Sequence, residues 1–228
     1  FIDVVKHDEQ AKVTSVLEED IQVEIENELL IIECKGIGGT STDSDCSQIA
    51  KIKHRRCKER NRFDVYALYI VNHQRYLPPN QRQNPPFSMN QIQDAKNDER
   101  GLVSTWQLFN LYFDIEDGIL SKEEARKLLI NYGLIEFRPP NLVLLGEPTE
   151  LFDKGLVCIV KLNNTEIKLG ASILIEFDGR FQKSKIEGIQ INDLPVSSAN
   201  LGEVGIRLSA PIKRKSLLWI RTVQVDPI

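Results

Sequence analysis

The chain lacks several features that would place it in familiar classes. No apolar run approaches the roughly 18 residues that a membrane helix needs. Its start has no basic-then-apolar signal pattern, so no membrane partner is expected. Its four cysteines (Cys34, Cys46, Cys57 and Cys158) form neither a CxxC pair nor a dense framework. Free thiols in a reducing, cytoplasmic setting are the simplest account. The three histidines (His7, His54 and His73) are too scattered for a zinc quartet. Gly36-Ile37-Gly38-Gly39 is not followed by the Lys-Ser/Thr of a phosphate-binding loop. The formal net charge is −4, so no global positive field draws the chain to nucleic acid, and such a partner would need a local basic patch.

With 41% hydrophobic and 27% charged residues, the chain reads as an ordinary globular protein rather than a disordered, collagenous or coiled-coil one. Its 228 residues suit one large or two small domains. The chain opens on Phe1 rather than Met, which suggests a fragment or processed piece. Apolar residues at 13–16, 21–25 and 29–32 suggest three strands, with Asn27-Glu28 as a turn. A glycine-rich loop and a polar-basic helix from about Ser44 to Arg60 follow, and Val65–Val71 reads as a buried strand. Residues 74–90 are proline- and amide-rich and form a loop. Helices are expected at Met89–Asn97, around Trp106–Tyr112 and after the Ser121–Glu124 capping box, with a short strand near Leu102-Val103 and Gly133 as the last helix's C-cap. Trp106, Phe109, Tyr112 and Phe113, at helical spacing, are expected in the core, with a base-stacking platform as the alternative.

After Pro139-Pro140 the pattern changes to short apolar strands punctuated by Asn163-Asn164, Asp178-Gly179, Asn192-Asp193 and Asn200-Leu201-Gly202. Such spacing indicates a small all-β barrel. The expected organisation is therefore an α/β domain over residues 1–138 and a barrel over 139–228.

The residues with the strongest chemical signal are Asp20 and, on the next strand but one turn later, Glu33-Cys34-Lys35. Glu33 and Lys35 are two apart and share one face of a strand. An antiparallel neighbour brings Asp20 within several ångströms of them. Two carboxylates and an ammonium at the end of a buried sheet are costly as packing, but they suit a magnesium site of hard oxygen ligands. There the ion would polarise a phosphoryl oxygen, Lys35 would orient water or neutralise phosphate charge, and the Cys34 backbone carbonyl would be a further ligand. Glu18 and Glu19 adjoin Asp20, and a one-residue slip of register would exchange them. The plainer alternative is an ordinary Glu–Lys pair at a strand end.

The run Asp20–Val23, Leu30–Gly36, Gln48 and Val65–Asn72, covering about residues 12–112, resembles the restriction-endonuclease-like superfamily of PD-(D/E)xK nucleases. The resemblance implies a mixed sheet with flanking helices. It implies Mg²⁺, with Mn²⁺ as a substitute, bound at Asp20 and Glu33, with Lys35 assisting the attacking water and Gln48 supporting the site. The proline that often precedes the acid is missing, and no first helix that could supply a third carboxylate is visible before residue 12. The barrel segments Gly155–Val157, Ile167–Ile173, Ile186–Ile189 and Ala199–Ile206 resemble the second domain of translation GTPases, which implies a docking role.

Lys51, Arg55, Arg56 and Lys58 belong to a run of cations just after this site. They could hold phosphates without sequence preference, although a charge run is often only a solvated helix face. Arg75 and Arg82 are loop candidates for phosphate contact, and Lys213-Arg214-Lys215 is a weaker one. The expected activity is Mg²⁺-dependent hydrolysis of DNA, in defence against foreign DNA or in repair. A non-catalytic adaptor with a nuclease-like core is the alternative. A protein partner on the barrel and a homo-oligomer are left open.

Overall fold

The computed structural model describes residues 4–6, 19–25 and 27–222. The expected strand at 13–16, together with Glu18, lies outside the described residues. Two compact units emerge, one within Phe1–Phe113 and Lys122–Phe137, the other within Asp114–Ser121 and Arg138–Ile228.

The first unit holds β1 (Val4–Lys6), β2 (Ile21–Ile25), β3 (Glu28–Gly36), α1 (Asp43–Arg60), β4 (Val65–Asn72), α2 (Met89–Asn97), β5 (Arg100–Ser104), α3 (Thr105–Glu116, whose last turn falls in the second unit), α4 (Lys122–Leu129) and β6 (Gly133–Leu134). The six strands lie in chain order; β1–β2 and β2–β3 are antiparallel, and β3 to β6 are parallel. Parallel neighbours require crossovers, and α1, α2 and the α3–α4 segment supply them in turn. The central strands are apolar on both faces, as a doubly covered sheet demands. Leu29 and Ile31 of β3 and Val65, Ala67, Tyr69 and Val71 of β4 pack with Ile49 and Ile52 of α1 and Ile92 of α2. Leu30 and Leu68 face the other way, with Val103, Ile135 and the half-buried Leu108 and Leu129.

Local chemistry sets the helix ends. Thr42 caps α1, accepting the Asp45 amide while the Asp45 carboxylate accepts the Thr42 amide, and Ser88 and Gln91 repeat the device on α2. Gly101 carries no side chain because a Cβ there would lie 2.9 Å from Leu68 and 3.0 Å from the Asn131 carbonyl. Gly133 is not a helix cap: α4 ends at Leu129 and Gly133, at φ +76°, opens the edge strand β6. The aromatic residues of α3 are also not core. Phe109, Tyr112 and Phe113 are exposed, because Leu108 and Leu111 take the buried side. The rings stack on one another instead, Trp106 on Phe109 at 5.3 Å.

The second unit is an eight-stranded, curled antiparallel sheet: β7 (Leu142–Gly146), β8 (Glu150–Phe152), β9 (Val157–Lys168), β10 (Ser172–Phe177), β11 (Arg180–Ile191), β12 (Leu194–Pro195), β13 (Ser198–Leu208) and β14 (Leu217–Arg221), ordered β7-β14-β10-β11-β13-β9-β8, with β12 folded back on β11. Its concave core holds Val160, Ile173, Ile175, Val204, Ile206 and Leu218. On the other face Ile119 meets Leu174 and Phe181, and so the segment Asp114–Ser121 packs with this sheet. Asp178-Gly179 and Asn192-Asp193 make tight hairpin turns with positive φ at both positions. Asn163-Asn164 and Asn200-Leu201-Gly202 do not turn the chain. They face each other inside β9 and β13, where the register slips between Ala199 and Leu201, and positive φ at Asn164 and Gly202 serves a bulge instead.

Candidate active site

The antiparallel register of β2 and β3 ends with Ile21 paired to Ile32, and Asp20 follows as a bend just beyond the ladder, close enough for its charge to act on Glu33. The Asp20 amide donates to the Ile32 carbonyl at 3.0 Å, one residue out of step with the ladder. Its carboxylate bends back to accept the Cys34 amide at 2.7 Å. Glu33 follows the parity of Leu29 and Ile31 and therefore faces α1. Only 6% of it is exposed. Lys35, two residues on, shares that face.

Helix α1 completes the cluster. The Gln48 amide donates to Glu33 Oε1 at 3.1 Å and accepts from Lys35 Nζ at 2.9 Å. Asp45, one turn earlier, pairs with Lys35 at 3.0 Å. Asp45 was not among the sequence candidates, although Thr42-x-x-Asp45 has the spacing of a capping box and Asp45 lies three residues before Gln48. Hydrogen bonds from Thr42 and then Lys35 hold its pKa down to about 2. One residue thus caps the helix and fixes the lysine.

Glu33 Oε2 is buried and has no hydrogen-bond partner. Burial first, then repulsion from Asp20 and Glu19, outweighs the attraction of Lys35 and pushes its pKa up to about 7. An unpartnered buried carboxylate oxygen beside a second carboxylate is the arrangement a cation relieves. Two carboxylates suffice for Mg²⁺, which keeps several of its waters. Among the described residues, no group of three or more His, Cys, Asp or Glu side chains is poised as a metal cage. Cys34 is exposed, yet local desolvation and then Asp20 and Glu33 push its thiol up to about 11, which makes it a poor nucleophile.

Other sequence candidates are placed differently. Glu19 is not available to a metal: its side chain is fully buried, and both its oxygens accept from Arg56, at 2.8 and 3.0 Å. Gln22 donates to it as well. Arg56 is correspondingly not a phosphate contact; it is held by Glu19 and by Glu59 at 2.8 Å. The rest of the cationic run is mostly engaged as well, by acids distant in sequence, Glu24 and Glu99, and by the near neighbours Glu59 and Asp64. Lys53 binds Glu99, Arg60 binds Glu24 and Asp64, Arg62 binds Asp64, and Arg55 lies 3.8 Å from Glu59. Lys51 and Lys58 remain exposed. Arg82 is a loop brace, donating to the Asn72 side chain at 2.6 Å and the Leu77 carbonyl at 2.8 Å. His73 is buried against the Gln83 carbonyl, 2.8 Å away.

No family model matches the chain, and no curated protein matches its sequence. Solved structures with some likeness include the C-terminal domain of a putative U32 peptidase from Geobacillus thermoleovorans, at 14% identity over 33% of this chain and 96% of that one, with a TM-score of 0.29. Translation elongation factor SelB from Methanococcus maripaludis aligns at 11% identity over 86% of this chain and 40% of its own, with a TM-score of 0.30. A bacterial selenocysteine-specific elongation factor, EF-Sec, aligns at 16% identity over 68% and 26%, with a TM-score of 0.26. TM-scores this low establish neither a common fold nor a common task. None of the three is described as a nuclease.

Proposed function

We propose that the first unit is a Mg²⁺-dependent phosphodiesterase of the restriction-endonuclease-like kind, acting on DNA. The observation that carries this reading is the buried, unpartnered Glu33 Oε2, one residue before the Cys34 amide that the Asp20 carboxylate accepts. Asp20, Glu33 and the Cys34 carbonyl would hold the ion. When bound, Mg²⁺ supplies polarisation of a phosphoryl oxygen and acidification of a water. The chain's own contribution is placement. Gln48 orients Glu33 and Lys35 together, and Asp45 keeps the ammonium beside the carboxylates, where it can neutralise charge that develops on a phosphate. With most of the α1 cations committed to acids, Lys51 and Lys58 are its remaining exposed contacts for a backbone.

The same commitments support a second reading, in which the core is a non-catalytic adaptor and the curled sheet a docking module. Lys35 is already neutralised by Asp45, and the set contains two carboxylates rather than three. Incubating the purified chain with plasmid and single-stranded DNA in Mg²⁺ or Mn²⁺ separates the two. Cleavage should fall about a hundredfold or more in Glu33→Gln and Lys35→Met, and calorimetric Mg²⁺ binding should disappear in Asp20→Asn. A folded wild-type chain that binds no Mg²⁺ and cuts neither DNA would overturn the enzyme and leave the adaptor.

A further inference from the structure

One residue past Lys35, the carbonyl of Gly36 accepts from Arg75 Nη1 at 3.2 Å. The other end of that guanidinium donates to the Tyr76 hydroxyl at 2.8 Å, and its central carbon lies 5.0 Å from the centre of the Tyr76 ring. Arg75 therefore ties the end of the Glu33–Lys35 strand to an aromatic ring. The backbone reinforces the link. The Gln74 amide donates to Gly39 at 2.9 Å and the Arg75 amide to Ile37 at 3.1 Å. The Gln83 amide binds the Gln74 side chain at 2.7 Å, and Arg82 braces Leu77. Gly38 leaves the ring its seat, since a Cβ there would lie 3.1 Å from Tyr76 Cε2.

Despite all this anchoring, Tyr76 is 76% exposed. Isolated exposed aromatics are common and need no explanation. Phe63, at 99% exposure, is such a case, with no ring or cation among the described residues seated against it. Tyr76 differs in that its orientation is fixed and an arginine lies against it. Such a ring, presented beside a phosphate-handling site, has the form of a stacking platform.

Resting on the phosphodiesterase reading above, we infer that Tyr76, backed by Arg75, stacks an unpaired base of the strand whose phosphate lies at Asp20, Glu33 and Lys35. The substrate class is then single-stranded or frayed DNA. A base inside a duplex has both faces covered by its neighbours, so only an extruded or unpaired base can meet the ring. Recognition would be indifferent to sequence, because every base has a stacking face.

The test uses the full chain with Ca²⁺ in place of Mg²⁺, so that the carboxylates are screened and binding is read without cleavage. Fluorescence anisotropy compares a short labelled oligothymidylate, the corresponding duplex, and an abasic deoxyribose-phosphate strand of equal length. The wild type should prefer the oligothymidylate to both others by about tenfold. Tyr76→Ala should erase the preference over the abasic strand, and Tyr76→Trp should keep or raise it. Equal binding of thymidylate and abasic strands, absence of binding to either, or a preference that survives in Tyr76→Ala would overturn the inference. Tyr76-dependent binding without cleavage in Mg²⁺ would leave the platform standing and remove the chemistry. Cleavage with no Tyr76 dependence would do the reverse.

Discussion

Glu19 and Glu33 sit near each other at one end of the same sheet, exposed by only 3% and 6%, yet their surroundings drive them apart. Burial raises the pKa of Glu19, but hydrogen bonds from Arg56 and Gln22 more than reverse it, and the carboxyl ends below its ordinary value. Glu33 has one amide hydrogen bond, a neighbouring Asp20 and a free oxygen, and ends at about 7. Desolvation is common to both, so the difference lies in the partners. A buried acid with a bidentate arginine is a completed structural element. A buried acid with a lone oxygen is an incomplete one, and incompleteness in a native core points to a ligand.

The strongest way to break the contrast is to remove the completing group. Arg56→Ala strands Glu19 as an uncompensated buried charge and should cost about 3–5 kcal/mol of stability, read by chemical denaturation at neutral pH. Glu19→Leu combined with Arg56→Met removes both charges and should recover most of that loss. If the single substitution is nearly neutral, Glu19 is not the structural acid that the ion pair makes it.

The two acids should also impress opposite pH slopes on stability. Glu33 has a folded pKa above its unfolded value near 4.5, so the fold binds the extra proton. Its contribution is fully present below pH 4.5 and is lost as pH rises through about 7. The loss amounts to about 3 kcal/mol at most. Glu19, lowered on folding, contributes stability above its unfolded pKa and loses it as pH falls. Denaturation midpoints measured from pH 4 to 8 should therefore fall less steeply with rising pH in Glu33→Gln than in the wild type, and Glu19→Gln should lack part of the loss on acidification. Added Mg²⁺ should offset the Glu33 loss near pH 8 if the ion settles there. Parallel pH profiles for the wild type and Glu33→Gln would show that Glu33 takes up no extra proton on folding.

Much of this geometry could be read from local sequence, and the reasons mark where such reading stops. The apolar runs of β3 and β4 and the hairpin turns at Asp178-Gly179 and Asn192-Asp193 depend on neighbours in the chain. So does the two-residue spacing that puts Glu33 and Lys35 on one face. The pairs of Arg55 and Arg56 with Glu59 and of Arg60 with Asp64 have helical spacing, but those with Glu19, Glu24 and Glu99 depend on acids brought in by the sheet and the turn before β5. No local pattern announces them, and a cationic run therefore looked freer than it is. Asn163-Asn164 and Asn200–Gly202 misled for another reason. Residues that tolerate positive φ serve bulges as readily as turns, and only the pairing of β9 with β13 tells which. The α3 aromatics had helical spacing in their favour, but spacing names a face without naming the side the core takes.

The weakest perturbation sharpens the comparison most finely. Gln48→Ala removes the single donor to Glu33 and one of the two acceptors around Lys35, while leaving the Asp45–Lys35 pair and the Glu19–Arg56 pair in place. Losing one side-chain hydrogen bond at a partly buried site should cost about 1 kcal/mol, well below the Arg56 substitution. The informative change is in titration. With Oε1 also unsupported, the charged form of Glu33 is less stabilised, and its pKa, followed by carboxyl NMR, should move above 7. The Glu19 titration should not move. If both acids shift together, they form one coupled cluster, and the division between a structural corner and a reactive one disappears.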